Sequence, residues 1–229
     1  MPNAAVVKRI DVCDNVRMAP VDYHSLIEHY EACLDRHGDT PQGVDWPNAA
    51  DAETRYRVML DLVGNTHGEP VTLLDFGCGA AHLADYLARH NRRDISYMGL
   101  DASPKFVELA RTKHPQLPLY CLDVLATGTP APEADFVVMN GVFTEKRGMS
   151  FDEMRGYMEQ LLQHVFKTTR VGLAFNVMSK HVDWERDDLF HLPFDTLVSF
   201  LRSNLSRHIV LRADYGLYEY TTYVYREPR

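Results

Sequence analysis

Apolar residues along the chain follow two rhythms that alternate. Short runs that are continuously apolar, or apolar and polar in turn, occur at residues 71–76, 95–101, 117–122, 134–140 and 170–177 and predict strands. Beyond the fourth run, apolar positions are three and four apart, which places side chains on one face of a helix. There Ser150-x-x-Glu153 opens a helix as a capping box, and Met154, Tyr157, Met158, Leu161, Leu162 and Val165 form its stripe, expected to pack on the sheet. Phe194, Leu197, Val198 and Leu201 mark one more helix. The last two strands, at 208–212 and 218–225, flank the turn residues Ala213-Asp214-Tyr215-Gly216 and read as a hairpin. Strands alternating with helices predict an α/β fold with a largely parallel sheet.

Ahead of this block the pattern is helical. Leu26, Ile27, Tyr30 and Leu34 share a face of a helix over 21–37, a polar loop with Gly and Pro leads to Trp46 and Pro47, and a second helix runs from about 51 to 63. Residues 64–70, Gly-Asn-Thr-His-Gly-Glu-Pro, mark a boundary. The expected organisation is a helical lid over residues 1–68 and a core over 69–229.

The first strand runs into Asp75-Phe76-Gly77-Cys78-Gly79-Ala80-Ala81 and then a helix. Two glycines remove side chains at the turn, so a ligand can approach the main chain closely. A dinucleotide would put its pyrophosphate on the helix N-terminus, and the carboxylate of Asp75 would repel it. A ligand bearing a cationic amine would not be repelled. The turn also lacks the full Gly-x-Gly-x-x-Gly spacing, so a nicotinamide-dependent oxidoreductase is the contrasting reading. The second strand ends on Asp101 ahead of Ser103 and Pro104, a cap and first-turn pair, and an acid there can accept hydrogen bonds from ribose hydroxyls. Asp123-Val124 follows the third strand, and Asn140-Gly141 the fourth. Each marker has an ordinary reading as a turn, a cap or a solvated acid. Their order along strand-helix units is much harder to reach by chance.

These residues resemble the motifs of the class I S-adenosylmethionine-dependent methyltransferases, specifically the bacterial stand-alone kind acting on small molecules. The first motif of that family reads acidic-x-Gly-x-Gly-x-Gly, and Ala81 stands here in place of the last glycine. The likeness covers residues 70–178. It implies a Rossmann-like, doubly wound seven-stranded sheet in the order 3-2-1-4-5-7-6, with the seventh strand antiparallel. It also implies S-adenosylmethionine as cofactor, with Gly77, Cys78 and Gly79 against its methionine and ribose, Asp75 near its ammonium, and Asp101 with Ala102 at the ribose. Asp123 and Val124 would meet the adenine, and the Asn140 backbone the methionine amine. Arg55 is a candidate partner for the cofactor carboxylate.

Composition narrows the acceptor. The chain has 229 residues, 45% of them hydrophobic, enough for one core with an appended cover. Its formal charge is -8, and no Lys/Arg cluster offers a path for phosphates. The fourth strand ends Asn140-Gly141-Val142-Phe143, without the Pro-Pro-aromatic sequence of methyltransferases that act on nucleic-acid bases. Nucleic acid is therefore not an expected partner. Cys13, Cys33, Cys78 and Cys121 lack paired metal spacing, no metal is expected, and buried thiols in a reducing compartment are the simpler reading. No signal peptide and no long apolar run appear, so the expected setting is cytoplasmic, away from membranes. A homodimer is one open assembly state. The leading reading is methyl transfer to an oxygen or nitrogen of a small molecule, against a protein acceptor or a non-catalytic cofactor-binding subunit. His181, in the loop after the fifth strand, is the first candidate for a general base, ahead of His191 and of Tyr23, His24 and Tyr30 on the lid.

Overall fold

The computed structural model describes residues 22–46, 49–64, 66 and 69–229, and Cys13 and Pro47 lie outside them. Five parallel strands, β1 (Val71–Phe76), β2 (Ile95–Asp101), β3 (Leu119–Cys121), β4 (Ala134–Met139) and β5 (Thr169–Ser179), form the body of one sheet. A two-residue strand β6 (His191–Leu192) pairs with the end of β5. The terminal hairpin, β7 (His208–Arg212) and β8 (Glu219–Tyr225), adds antiparallel strands beside β5. The order is β3-β2-β1-β4-β5-β8-β7, with β6 off that path. Without that short strand, this is the order the resemblance implied.

Both faces of the sheet are covered, and the strand sequences show why. Phe136 and Val138 of β4 face one apolar core while Val137 and Met139 face the other. In β5, Leu173 and Phe175 alternate with Ala174 in the same way. A strand buried on both sides needs apolar residues at consecutive positions, which is why these runs are continuous. One core takes α6 (Phe151–Phe166) and α7 (Phe194–Asn204), and the other takes α2 (Ala49–Leu60) and α3 (His82–Arg89). Ala110 of α4 (Pro104–Lys113) packs in the second core. The capping box of α6 forms as expected, with Ser150 Oγ accepting from Glu153 N and Glu153 Oε2 accepting from Ser150 N. Ser103 caps α4 by accepting from Phe106 N, with Pro104 as the first helical residue.

The two N-terminal helices part company. The first, α1 (His24–His37), and the 3-10 turn Pro41–Val44 lie over the carboxyl ends of the strands. Tyr23 Oη donates to Asp123 after β3, Ser103 Oγ after β2 donates to Glu31, and Tyr30 Oη donates to Gly141 O after β4. By contrast α2, expected to share that cover, is built into the sheet layer. Its Tyr56, Val58 and Met59 are buried, and the hydroxyl of Tyr223 on β8 donates to Val58 O. Cys121 differs from expectation as well. It is exposed because β3 is a short edge strand, whereas Cys33 and Cys78 are buried.

Candidate functional site

β1 leads to strands on one side and β4 to strands on the other, so their carboxyl ends diverge into a crevice, the usual ligand position in an open α/β sheet. A cavity with about 1120 Å³ of empty space lies there. It is lined by Asp75, Gly77, Cys78 and Gly79 after β1, Asp101 and Ala102 after β2, Asp123 and Val124 after β3, and Asn140 after β4. The fold thus gathers nine of the ten residues expected to meet a cofactor.

Local geometry shapes this cavity. Gly77 has φ +76°, and a Cβ there would stand 2.8 Å from Val142 Cγ2, so both backbone and space require glycine. Ala81, at the position of the missing third glycine, also sits in the left-handed region, with φ 60°. Its turn therefore carries strain that glycine would not. Gly79 N donates to Asp101 Oδ2 at 2.8 Å and Ser103 N to Asp101 Oδ1 at 2.9 Å, which fixes the carboxylate and leaves it acceptor capacity. Burial raises the Asp101 pKa, and the Ser103 and Gly79 N–H groups oppose that shift. Asp75 is 4% exposed, and its pKa is pushed up to about 7 by burial despite a 2.8 Å hydrogen bond from Tyr97 Oη. Asn140 is the orphan of the site: Oδ1 and Nδ2 are both buried without a partner. A buried amide left unpaired costs free energy, so a ligand that pairs with it is favoured. Asp123 both faces the cavity and caps the short helix α5 (Val124–Thr127), accepting from Leu125 N and Ala126 N.

The cover gives Tyr23 and Trp46, read from the sequence as lid residues, a direct place in the lining. Tyr23 stacks on Tyr157 with ring centroids 4.9 Å apart, and both line the cavity, so the stripe of α6 serves the site as well as the core. Burial and the neighbouring Asp123 raise the Tyr23 hydroxyl pKa, holding it as a hydrogen-bond donor. Trp46 lies over Gly141, where a Cβ would stand 3.5 Å from the indole nitrogen. On its other side a second cavity opens, with about 990 Å³ of empty space. Trp46 is common to the two linings, so the cavities adjoin at its indole.

Two expected site residues are elsewhere. Arg55 lines the second cavity, where Nε and Nη2 donate to Glu219 at 3.0 and 2.8 Å and Nη1 is buried without a partner. Arg55 points from α2 to β8, while its neighbour Tyr56 on the same helix lines the first cavity. His181 lines neither cavity. It is exposed and stacked on Phe194 at 5.1 Å, which is a packing role. His191 is buried in the wall of the second cavity, with Nδ1 2.6 Å from Ser179 O and Nε2 accepting from Arg186 N. Those partners require the neutral ring with its proton on Nδ1, leaving no free basic nitrogen.

Folding also brings together His29, Cys33 and Asp45, whose ligand atoms lie within 4.8 Å of one another, a grouping missed because Asp45 is remote in sequence. His29 Nε2 is 2.7 Å from Asp45 Oδ2. Two ligands of a tetrahedral zinc would be about 3.3 Å apart with bonds of about 2.0 Å, so this contact has the length of a hydrogen bond.

Comparison with known proteins agrees with the geometry. Residues 74–172 match the model of a methyltransferase domain. A Mycobacterium tuberculosis protein named as a methyltransferase, Rv1506c, is 31% identical over 159 residues, which is 68% of this chain and 93% of that protein. Magnesium protoporphyrin IX methyltransferase from Synechocystis PCC 6803, solved with bound SAH, superposes with a TM-score of 0.62 at 16% identity, over 89% of this chain and 100% of that one. Human N-acetylserotonin methyltransferase in complex with SAM gives 0.56 at 15% identity, over 76% and 52%. Strand order, the two-glycine turn with its flanking acids and the 31% identical relative converge: the chain belongs to the class I S-adenosylmethionine-dependent methyltransferases.

Proposed function

We propose that the chain methylates an oxygen or nitrogen of a small organic molecule, with S-adenosylmethionine in the first cavity and the acceptor in the second. The observation that carries this reading is the pair of cavities that adjoin at Trp46 beyond the ends of β4 and β5. In this reading Asp101 takes the ribose hydroxyls, its position fixed by Gly79 N and Ser103 N. Asp75 faces the ammonium region, Asp123 and Val124 the adenine, and Asn140 supplies the unpaired amide. The cofactor brings an electrophilic methyl carbon on a sulfonium, so the hard chemistry is not the protein's.

What remains for the chain is alignment and exclusion of water. Tyr23 and Tyr30 hold α1 over the crevice through Asp123 and Gly141 O, and α1 with the loop to Trp46 acts as the lid. His181 lines neither cavity, so this reading gives it no role in proton transfer. Both solved relatives named above are methyltransferases of small organic molecules by their names, which favours that acceptor class over a protein.

Calorimetry with S-adenosylhomocysteine tests the cofactor site. Asp101→Ala should weaken binding by about tenfold or more, as expected for losing hydrogen bonds to a charged group. Unchanged affinity would remove Asp101 from the site. Release of S-adenosylhomocysteine across a panel of metabolites, with a panel of proteins as the contrasting arm, tests the acceptor class.

A further inference from the structure

The second cavity has a definite chemistry. Besides the Arg55–Glu219 pair, its wall carries four carboxylates, those of Asp45, Asp51, Glu145 and Asp183, and one further guanidinium, that of Arg186. Neither guanidinium leaves the wall positive. Glu219 neutralises Arg55 through a pair in which both side chains are largely buried, and Asp188 holds Arg186, with Nε donating to Oδ1 at 3.0 Å. His191 is held neutral by its two hydrogen bonds.

Glu145 is a buried acid whose cation is shared with a second carboxylate. It is 8% exposed, and its nearest basic partner, Arg147, reaches it only at 3.4 Å while also reaching for Asp188 at 3.5 Å. Burial raises the Glu145 pKa, and the like charge of Asp45 adds to the rise. A cation in the cavity would relieve that repulsion. Aromatic rings complete the lining. Trp184 and Tyr218 are 70% and 65% exposed, among the most exposed large apolar side chains of the described residues, and both line this cavity with Trp46. Ring faces in a negative wall attract organic cations and stack on flat apolar groups.

The geometry points to an acceptor pocket for a flat organic cation: an aryl-alkyl amine whose ring lies against Trp184 and Tyr218, the Trp46 ring being already covered by Arg55, and whose ammonium faces Glu145. The inference rests on the second cavity being the acceptor's, and it adds the acceptor's charge and shape. An aryl carboxylate of the same size would meet the repulsion of Asp45, Asp51, Glu145 and Asp183.

The test uses the full chain saturated with S-adenosylhomocysteine. Both tryptophans of the sequence, Trp46 and Trp184, line this cavity, so intrinsic tryptophan fluorescence reports on it directly. Phenethylamine and phenylacetate share a ring and chain length and differ in charge, and neither absorbs at the red edge of tryptophan excitation. Phenethylamine should change the emission saturably, phenylacetate should bind about a hundredfold more weakly or not at all, and Glu145→Gln should weaken the amine by about tenfold. Trp184→Phe should remove most of the signal that S-adenosylhomocysteine alone does not cause. Calorimetric binding of S-adenosylhomocysteine by Glu145→Gln controls for folding. Equal binding of the two probes, preference for the carboxylate, no response to the amine at millimolar concentration, or an amine affinity unchanged by Glu145→Gln would each overturn the inference. Amine binding with no S-adenosylhomocysteine binding would leave it standing and bring down the cofactor assignment instead.

Discussion

Asp75 should make the ligand-free protein less stable as pH rises toward neutrality, against the usual behaviour of a paired carboxylate. Its pKa goes from 3.8 to about 7 on folding because burial disfavours the anion more than the Tyr97 hydrogen bond favours it. Between those values the folded chain keeps a proton that the unfolded chain has released. The native state therefore binds more protons, and unfolding free energy falls with pH across that window and levels off above about pH 7. Below about pH 4 both states are protonated and the site costs nothing. The full effect is about 4 kcal/mol, and the part lost between pH 5 and pH 8 is about 3 kcal/mol. For a chain of this size that is about 5–10 °C in melting temperature. The 11 histidines also titrate in the window, so the informative quantity is a difference between variants. Asp75→Asn keeps the shape and an acceptor for Tyr97 Oη but carries no titrating proton. Melting curves by circular dichroism should separate the two proteins increasingly from pH 5 to pH 8, the variant being the more stable at the alkaline end. Parallel melting temperatures across that range would refute the reasoning.

Other consequences are equally direct. Ionised Asp75 favours a ligand ammonium group beside it, so S-adenosylhomocysteine, which keeps its ammonium, should bind up to about tenfold more tightly by calorimetry at pH 8 than at pH 6, and Asp75→Asn should flatten the rise. Gly77→Ala forces a side chain into a left-handed position and against Val142. It should destabilise by about 1–2 kcal/mol or more in denaturant titration and also weaken cofactor binding. Arg55→Ala strands the carboxylate of Glu219, whose side chain is 1% exposed, and should cost about 3–5 kcal/mol in the same titration. Adding Glu219→Gln should recover part of that loss. His181→Ala removes a ring packed on Phe194 outside both cavities, so turnover of an identified acceptor should stay within about twofold of the parent.

The sequence by itself determined the sheet and the cofactor crevice. Runs buried on both faces are continuously apolar, helices announce themselves by spacing and by caps such as Ser150 with Glu153, and Gly77 is demanded by a turn that lies within a few residues of chain. Those signals are local, so they survive without knowledge of the fold. The crevice acids were legible for the same reason, since Asp75, Asp101 and Asp123 each lie at or just past the end of a strand and parallel strands end on one edge. Only the tertiary structure decided which side chains meet from remote parts of the chain: Tyr23 donating to Asp123 and Arg55 bound to Glu219. Partners separated by a hundred or more residues leave no periodic trace, because a side chain's role then depends on where the helix or loop carrying it docks. The second cavity belongs to that class entirely. Its wall is assembled from the Trp46 loop, α2, the segment after β4, the loop after β5 and the start of β8, which come together only when the sheet has closed around its two cores.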